Sequence, residues 1–230
     1  MNRREAILAG GTLAATGLLN ASELDKPKAK TVKKAYGTQH AIKPLSFDPK
    51  SLKGISEKVI VSHHDNNYAG AVKKLILIQK QIRALPKEAH PIELGALKKE
   101  ELIALNSKLL HELYFDNLGG QGKINARMQE VLRQSFGSVD AWKADFVKTG
   151  KSLGGGSGWV MLSYVKEAGV LINQIAGDHS DSVATGVPLL VMDMYEHAYH
   201  MDYGVKAAKY IGAFMQNINW DIVAERWREA

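Results

Sequence analysis

The sequence predicts an α+β protein, an N-terminal long-helix hairpin plus a C-terminal α/β domain with a small three-stranded antiparallel sheet. Two observations carry the helical part and one carries the sheet. About Ser56–Leu85 and about Lys98–Asn117 both place apolar residues at helical spacing. Three β-branched and aromatic runs, Trp159–Tyr164, Val170–Ile175 and Val187–Met192, lie close enough in sequence to pair antiparallel. No self-similar period of about 20–50 residues recurs, which excludes a repeat architecture. The expected organisation is an export signal at 1–21, a tether at 22–43, a helical-hairpin domain at 44–120 and an α/β domain at 121–230, the last of which carries the chemistry described below.

The first segment carries Arg3-Arg4 ahead of the short, Gly/Ala-rich apolar stretch from Ala6 to Leu19. That is the layout of a twin-arginine signal, too short and too mildly hydrophobic for a transmembrane helix. It implies cleavage near Ala21, a periplasmic or otherwise exported protein, and no membrane association once the signal is removed. Asp25–Lys34 follows as a Lys-rich, solvated tether. Residues 1–35 hold seven Lys/Arg against three Asp/Glu, so they account for most of the formal net charge of +6. The remainder has no basic stripe interleaved with aromatics, which argues against a nucleic-acid partner. There are no cysteines, so disulfides and thiolate metal sites are excluded, and any metal must sit on His, Asp or Glu.

In the hairpin, Ser56 with Glu57 reads as a helix start, and Val59, Ile60, Val72, Leu75, Ile76 and Ile78 supply the apolar face. The pair Asn66-Asn67 sits badly at mid-helix and predicts a local distortion. Pro86 ends the helix. The second helix carries Leu102, Leu105, Leu109, Leu113 and Tyr114, and stops at Asn117-Leu-Gly-Gly120. Lys123–Phe136 and Val139–Thr149 read as two further amphipathic helices. Gly154–Gly158 then ends the helical region. Without a following Gly-Lys-Ser/Thr and with a strand coming next, this Gly-rich run is not a phosphate loop. Helices are expected again at Gly204–Gln216 and Ile222–Arg228.

Chemistry concentrates in Asp193-Met-Tyr-Glu-His-Ala-Tyr-His200, directly after the apolar strand Val187–Met192. Titratable groups there make a poor core and a good metal site. Histidines also stand on or beside the apolar faces of the first two helices, His63-His64 and His111. Taken singly, such a histidine is more often a hydrogen-bonded core residue. Facing each other in a hairpin, with Asp-x3-His downstream, they point to a site of imidazoles and one carboxylate, suited to Fe, Mn or Zn. A zinc hydrolase would need a helical His-Glu-x-x-His, and a ferritin-like di-iron site would need paired Glu-x-x-His helices; neither is present.

These motifs resemble the iron/manganese superoxide dismutase family over most of residues 44–230. The match rests on Asp193-x-Tyr-Glu-His-Ala-Tyr-His200 with Asp202-Tyr203, the tail Tyr210–Asp221 ending in Asn-Trp-Asp, His111-Glu-Leu-Tyr-Phe115, and Gly156-Ser-Gly-Trp159. The resemblance implies one Fe or Mn per chain, leaning to iron, held by His63, His111, Asp193 and His197. Superoxide is the implied substrate, with Trp159 and Tyr114 beside the metal. It also implies a homodimer in which Glu196 pairs with the partner's ligand histidine.

The departures from the family pattern carry expectations of their own. Aligned without gaps, His63 rather than His64 is the ligand, Asn67 replaces the family's second histidine, and Ala71 replaces its gateway tyrosine. His200 replaces the tyrosine that the second histidine contacts across the dimer, so Asn67 and His200 change together. Tyr68 or Tyr195 is expected to supply the missing phenol. Tyr195, Met161 and Phe115 stand where the family often has tryptophan. His179 is expected to hydrogen-bond the metal-bound solvent. The alternative reading is a family-derived metal-binding or scaffold protein with little dismutase activity, because several of the groups around the ligands are altered.

Overall fold

The computed structural model describes residues 36–37, 39–181 and 184–230. The expected export signal and most of the expected tether lie outside the described residues. Tyr36–Ala230 forms one compact unit, whose main core draws on both the hairpin and the α/β part.

The first helical rod starts where Ser56 caps it, its side chain accepting from Val59 N. Helix α1 (Glu57–Ser62) passes into a π-helical turn, His63–Tyr68, and then into α2 (Ala69–Ala84). The distortion expected at Asn66-Asn67 is this turn. Asn66 Nδ2 donates to Ser62 O at 2.9 Å, so a side chain competes for the carbonyl that a regular helix would give to the Asn66 backbone. Helix α3 runs Pro91–Asp116, beginning earlier than the expected Lys98. His90 caps it by accepting from Ile92 N, and Pro91 occupies the first helical position, where a missing N–H costs nothing. Helices α2 and α3 pack as a hairpin around a small cluster of Leu75, Ile78, Ile82 and Ala104. Each fully buried leucine or isoleucine there contributes about 1.5–3 kcal/mol.

Helices α4 (Ala126–Phe136) and α5 (Val139–Ser152) are capped by Asn125 and Ser138. The sheet is antiparallel in the order β2-β1-β3, with β1 Trp159–Val165, β2 Val170–Ala176 and β3 Gly186–Asp193. Trp159 on the central strand lies opposite Asp193 at the end of β3. Gly158 precedes it at φ +140°, and a Cβ there would come within 2.5 Å of Ala176 O, so this glycine is required for the strand to start beside its neighbour. After β3 come a 3-10 turn (Glu196–Ala198), a short α6 (His200–Tyr203), α7 (Ala207–Gln216) and α8 (Trp220–Glu229). The helix expected from Gly204 begins at Ala207, because Gly204 ends α6 in the left-handed region at φ +52°. Among the described residues no helix is long and apolar enough to cross a membrane.

Candidate metal centre

Four side chains from four separate segments meet between the hairpin and the sheet. His63 opens the π turn, His111 lies on α3, Asp193 ends β3 and His197 sits in the 3-10 turn beyond it. One ligand atom from each lies within 4.8 Å of all the others. Asp193 Oδ2 is 3.0 Å from His63 Nε2, 3.2 Å from His197 Nε2 and 3.7 Å from His111 Nε2. Those are the edge lengths of a coordination shell with bonds of about 2.1 Å. His63, His111 and Asp193 are buried, while the His197 side chain keeps 26% of its surface exposed.

His197 Nε2 is within hydrogen-bond distance of Asp193 Oδ2, at 3.2 Å, whereas three nitrogens of the two buried histidines are left open. His111 Nδ1 is 2.6 Å from Ser107 O. A carbonyl only accepts, so Nδ1 carries the hydrogen and Nε2 presents its lone pair. That Nε2, and both ring nitrogens of His63, are buried without a hydrogen-bond partner among the described residues. The close approach of His63 to Asp193 therefore lacks hydrogen-bond geometry. Burial lowers the pKa of His63, and burial together with neighbouring His63 pushes His111 down to about 3, so both are neutral at pH 7. Burial works to raise the Asp193 pKa, but its contacts with His197 and His63 outweigh that and hold it far below the usual carboxylate range. A buried carboxylate ionised beside two buried, neutral imidazoles is costly unless a cation joins them. Three nitrogens and one oxygen fit Fe or Mn.

Around the quartet, Trp159 lies with its ring 5.1 Å from that of His111, and Nε1 donates to His179 Nδ1 at 3.1 Å. Since an indole N–H only donates, His179 carries its own hydrogen on Nε2. Its backbone is held by Asn106 Nδ2, which donates to His179 O at 2.9 Å. Tyr195 stacks between His179 (4.8 Å, 13°) and His197 (5.3 Å, 22°). Burial and the Asp193 charge push the Tyr195 phenol up to about 12. Tyr114 and Phe115 face His63 at ring separations of 5.2 Å and 5.0 Å.

A family model described as iron/manganese superoxide dismutases, C-terminal domain, matches residues 124–226. A superoxide dismutase [Fe] of Cupriavidus metallidurans is 50% identical over 192 residues, covering 83% of this chain and 98% of that protein. The chain belongs to the iron/manganese superoxide dismutase family. A superoxide dismutase [Fe] of Aquifex aeolicus is 34% identical, across 83% of this chain and 93% of its own. A superoxide dismutase [Mn] 1 of Haloferax volcanii is 28% identical, across 84% and 97%. Membership agrees with the sequence resemblance and with the α+β fold.

The remaining residues expected at this dismutase-family site are placed unevenly. His64 stands outside the quartet, with Nε2 2.7 Å from Lys43 O and Nδ1 2.7 Å from Asp65 Oδ1. Tyr68 is buried with its ring 6.3 Å from His111, but its hydroxyl is taken by Lys43 N (2.9 Å) and Glu112 Oε1 (2.8 Å). Of the two phenol candidates, Tyr195 is the one stacked on a quartet histidine. Asn67, Glu196 and His200 are exposed on this chain. Sequence reasoning missed Asn106 and the Ser107 carbonyl, which act through main-chain bonds. The i−4 relation of Ser107 to His111 was the available signal for the second.

Proposed function

We propose that the chain is a superoxide dismutase, converting superoxide to O₂ and hydrogen peroxide with one Fe or Mn per chain. The observation that carries this reading is the buried quartet, in which three imidazole nitrogens lack partners around an ionised carboxylate. His63, His111, Asp193 and His197 would hold the Fe or Mn ion, which when bound would supply one-electron redox chemistry. With three neutral donors and a single carboxylate, the site would stay net positive around such an ion and so attract an anion. His179, fixed by Trp159, keeps an N–H donor on Nε2 beside His111. Tyr195 braces His179 and His197 by stacking and retains its phenolic proton at neutral pH. The curated relatives with this activity, at 50% and 34% identity, favour it over a non-catalytic metal binder. Metal analysis alongside superoxide consumption tests it. About one Fe or Mn per chain with activity is expected, whereas a full metal load without activity refutes dismutation.

Two further parts of the reading rest on other observations. Export through a twin-arginine signal, with a mature periplasmic chain starting near residue 22, is supported by Arg3-Arg4 and the short apolar stretch after it. N-terminal sequencing that finds Met1 in the exported fraction would overturn it. A homodimer through Glu196 and His197 is supported by the exposure of Glu196, Asn67 and His200. Replacing Glu196 with Ala is expected to weaken the dimer in sedimentation; a monomeric wild type would end the idea.

A further inference from the structure

β3 is an edge strand, yet Leu189 and Val191, whose backbone faces away from β1, are fully buried. Buried backbone groups need partners. Two side chains supply them. Asn117, just past the end of α3, accepts from Val191 N through Oδ1 at 2.9 Å and donates to Val191 O through Nδ2 at 3.2 Å. Its amide thus stands in for a neighbouring strand. Arg226 on α8 donates through Nη1 to Leu189 O at 3.0 Å.

Both side chains also grip the last turn of α3. Asn117 Nδ2 donates to Tyr114 O at 2.9 Å, and Arg226 Nη2 donates to Leu113 O at 3.0 Å. Arg226 Nη1 and Asn117 Oδ1 are themselves 3.4 Å apart. Closing the sheet edge requires only the β3 contacts. The α3 contacts make the pair a strut between two elements that each carry a ligand. His111 lies one half-turn before Leu113, and Asp193 lies one side-chain repeat after Val191.

We infer that Arg226 and Asn117 are positioning residues that hold α3 and β3 at the spacing in which His111 and Asp193 share one ion, and so set the site's Fe/Mn preference and ligand field. The inference rests on the metal reading of the quartet. Among the described residues no hydrogen bond or ion pair links Arg226 to the ligands, so its effect travels through the backbone of Leu113 and Leu189. Arg226→Met removes the strut, and Arg226→Lys keeps the charge but cannot span both carbonyls in the same plane. Leu132→Ala, buried in α4, which packs on α5, β2 and α8, serves as a control that lowers stability without removing a hydrogen bond to α3 or β3.

The full-length proteins are loaded from equimolar Fe and Mn, and metal ratio, visible absorption and reduction potential are read. Arg226→Met is expected to change the Fe:Mn ratio by about threefold, less than the roughly 10–100-fold typical of groups bonded directly to ligands, and to move the absorption bands and the potential. Arg226→Lys should fall between it and the wild type. Absorption, potential and metal ratio equal to wild type in Arg226→Met, or displaced equally by Leu132→Ala, would overturn the strut. Where Arg226→Met does not fold, a wild-type spectrum and ratio in Arg226→Lys overturn it instead. A wild-type protein that takes up neither ion defeats the metal reading itself, a separate result.

Discussion

Helix α3 carries two buried polar clusters on consecutive residues, and they are built on opposite principles. His111 belongs to the quartet, where three ring nitrogens are left without partners. Glu112 belongs to a cluster in which its carboxylate is matched on every side. Lys108 Nζ and Tyr68 OH reach its Oε1 at 2.8 Å each, and Lys43 Nζ reaches Oε2 at 3.1 Å. The second cluster is complete within the chain and ties the segment before α1 to the hairpin. The first is incomplete without a cation. A buried group left open on purpose marks function, and a buried group fully answered marks architecture.

Mutations should separate the two clusters. The largest effect is expected from Asp193→Ala, which removes the charge at the centre of the quartet. Bound Fe or Mn and superoxide consumption should both be lost, and retention of both would break the contrast. Next is Trp159→Phe, which frees His179 from its fixed tautomer while sparing every ligand. Activity should fall roughly tenfold with metal content unchanged. A loss of metal in proportion to activity would instead make Trp159 a packing residue. Glu112→Gln should leave metal stoichiometry intact and reduce unfolding free energy by about 2–3 kcal/mol, since it leaves the nearly buried Lys108 unpaired. An unchanged melting temperature would show that the cluster contributes nothing net.

The smallest effect is a pH dependence of the metal-free protein, and both clusters push it the same way. Burial opposes ionisation of Glu112, but its bonds from Lys108, Tyr68 and Lys43 win and hold its pKa below the ordinary glutamate value. Its stabilisation is therefore present above that ordinary value and is lost as pH falls through the folded one. His111 is held neutral down to about 3, so the unfolded chain binds its proton first as pH drops below about 6.5. Stability should fall by up to about 1.4 kcal/mol per pH unit for each group in its window. Thermal unfolding of the metal-free protein from pH 7 to pH 3 checks this: a flat profile between about pH 6 and pH 4.5 would contradict the His111 assignment, and one that stays flat below about pH 4.5 would contradict that of Glu112.

Much of the site was legible in the chain because its residue types are poor core material. Asp193 and His197 stand directly after an apolar strand, and His111 stands on an otherwise apolar face; each is weak singly, and together they point to a metal. The family resemblance favours His63 over His64, while helical periodicity does not separate them. The π turn begins at His63 and buries that ring, leaving His64 to bond Lys43 O. Helix α3 begins at Pro91 rather than near the expected Lys98, because His90 caps it and Pro91 forms part of its first turn. Tyr68 and Tyr195 were equal candidates for one phenol. Only the position of Glu112 shows why the Tyr68 hydroxyl is engaged elsewhere.

By itself, then, the sequence determined the order of helices and strands, because periodicity is a local property, and its motifs carried the family resemblance that implies the four metal-holding groups. Tertiary structure alone decided which nitrogens stay open, which tautomer His179 adopts and how α3 is braced against β3. Those outcomes depend on hydrogen bonds between residues far apart in sequence, such as Asn117 with Val191 and Arg226 with Leu113. Such bonds form only once the hairpin and the sheet have come together, and no stretch of the chain encodes their geometry on its own.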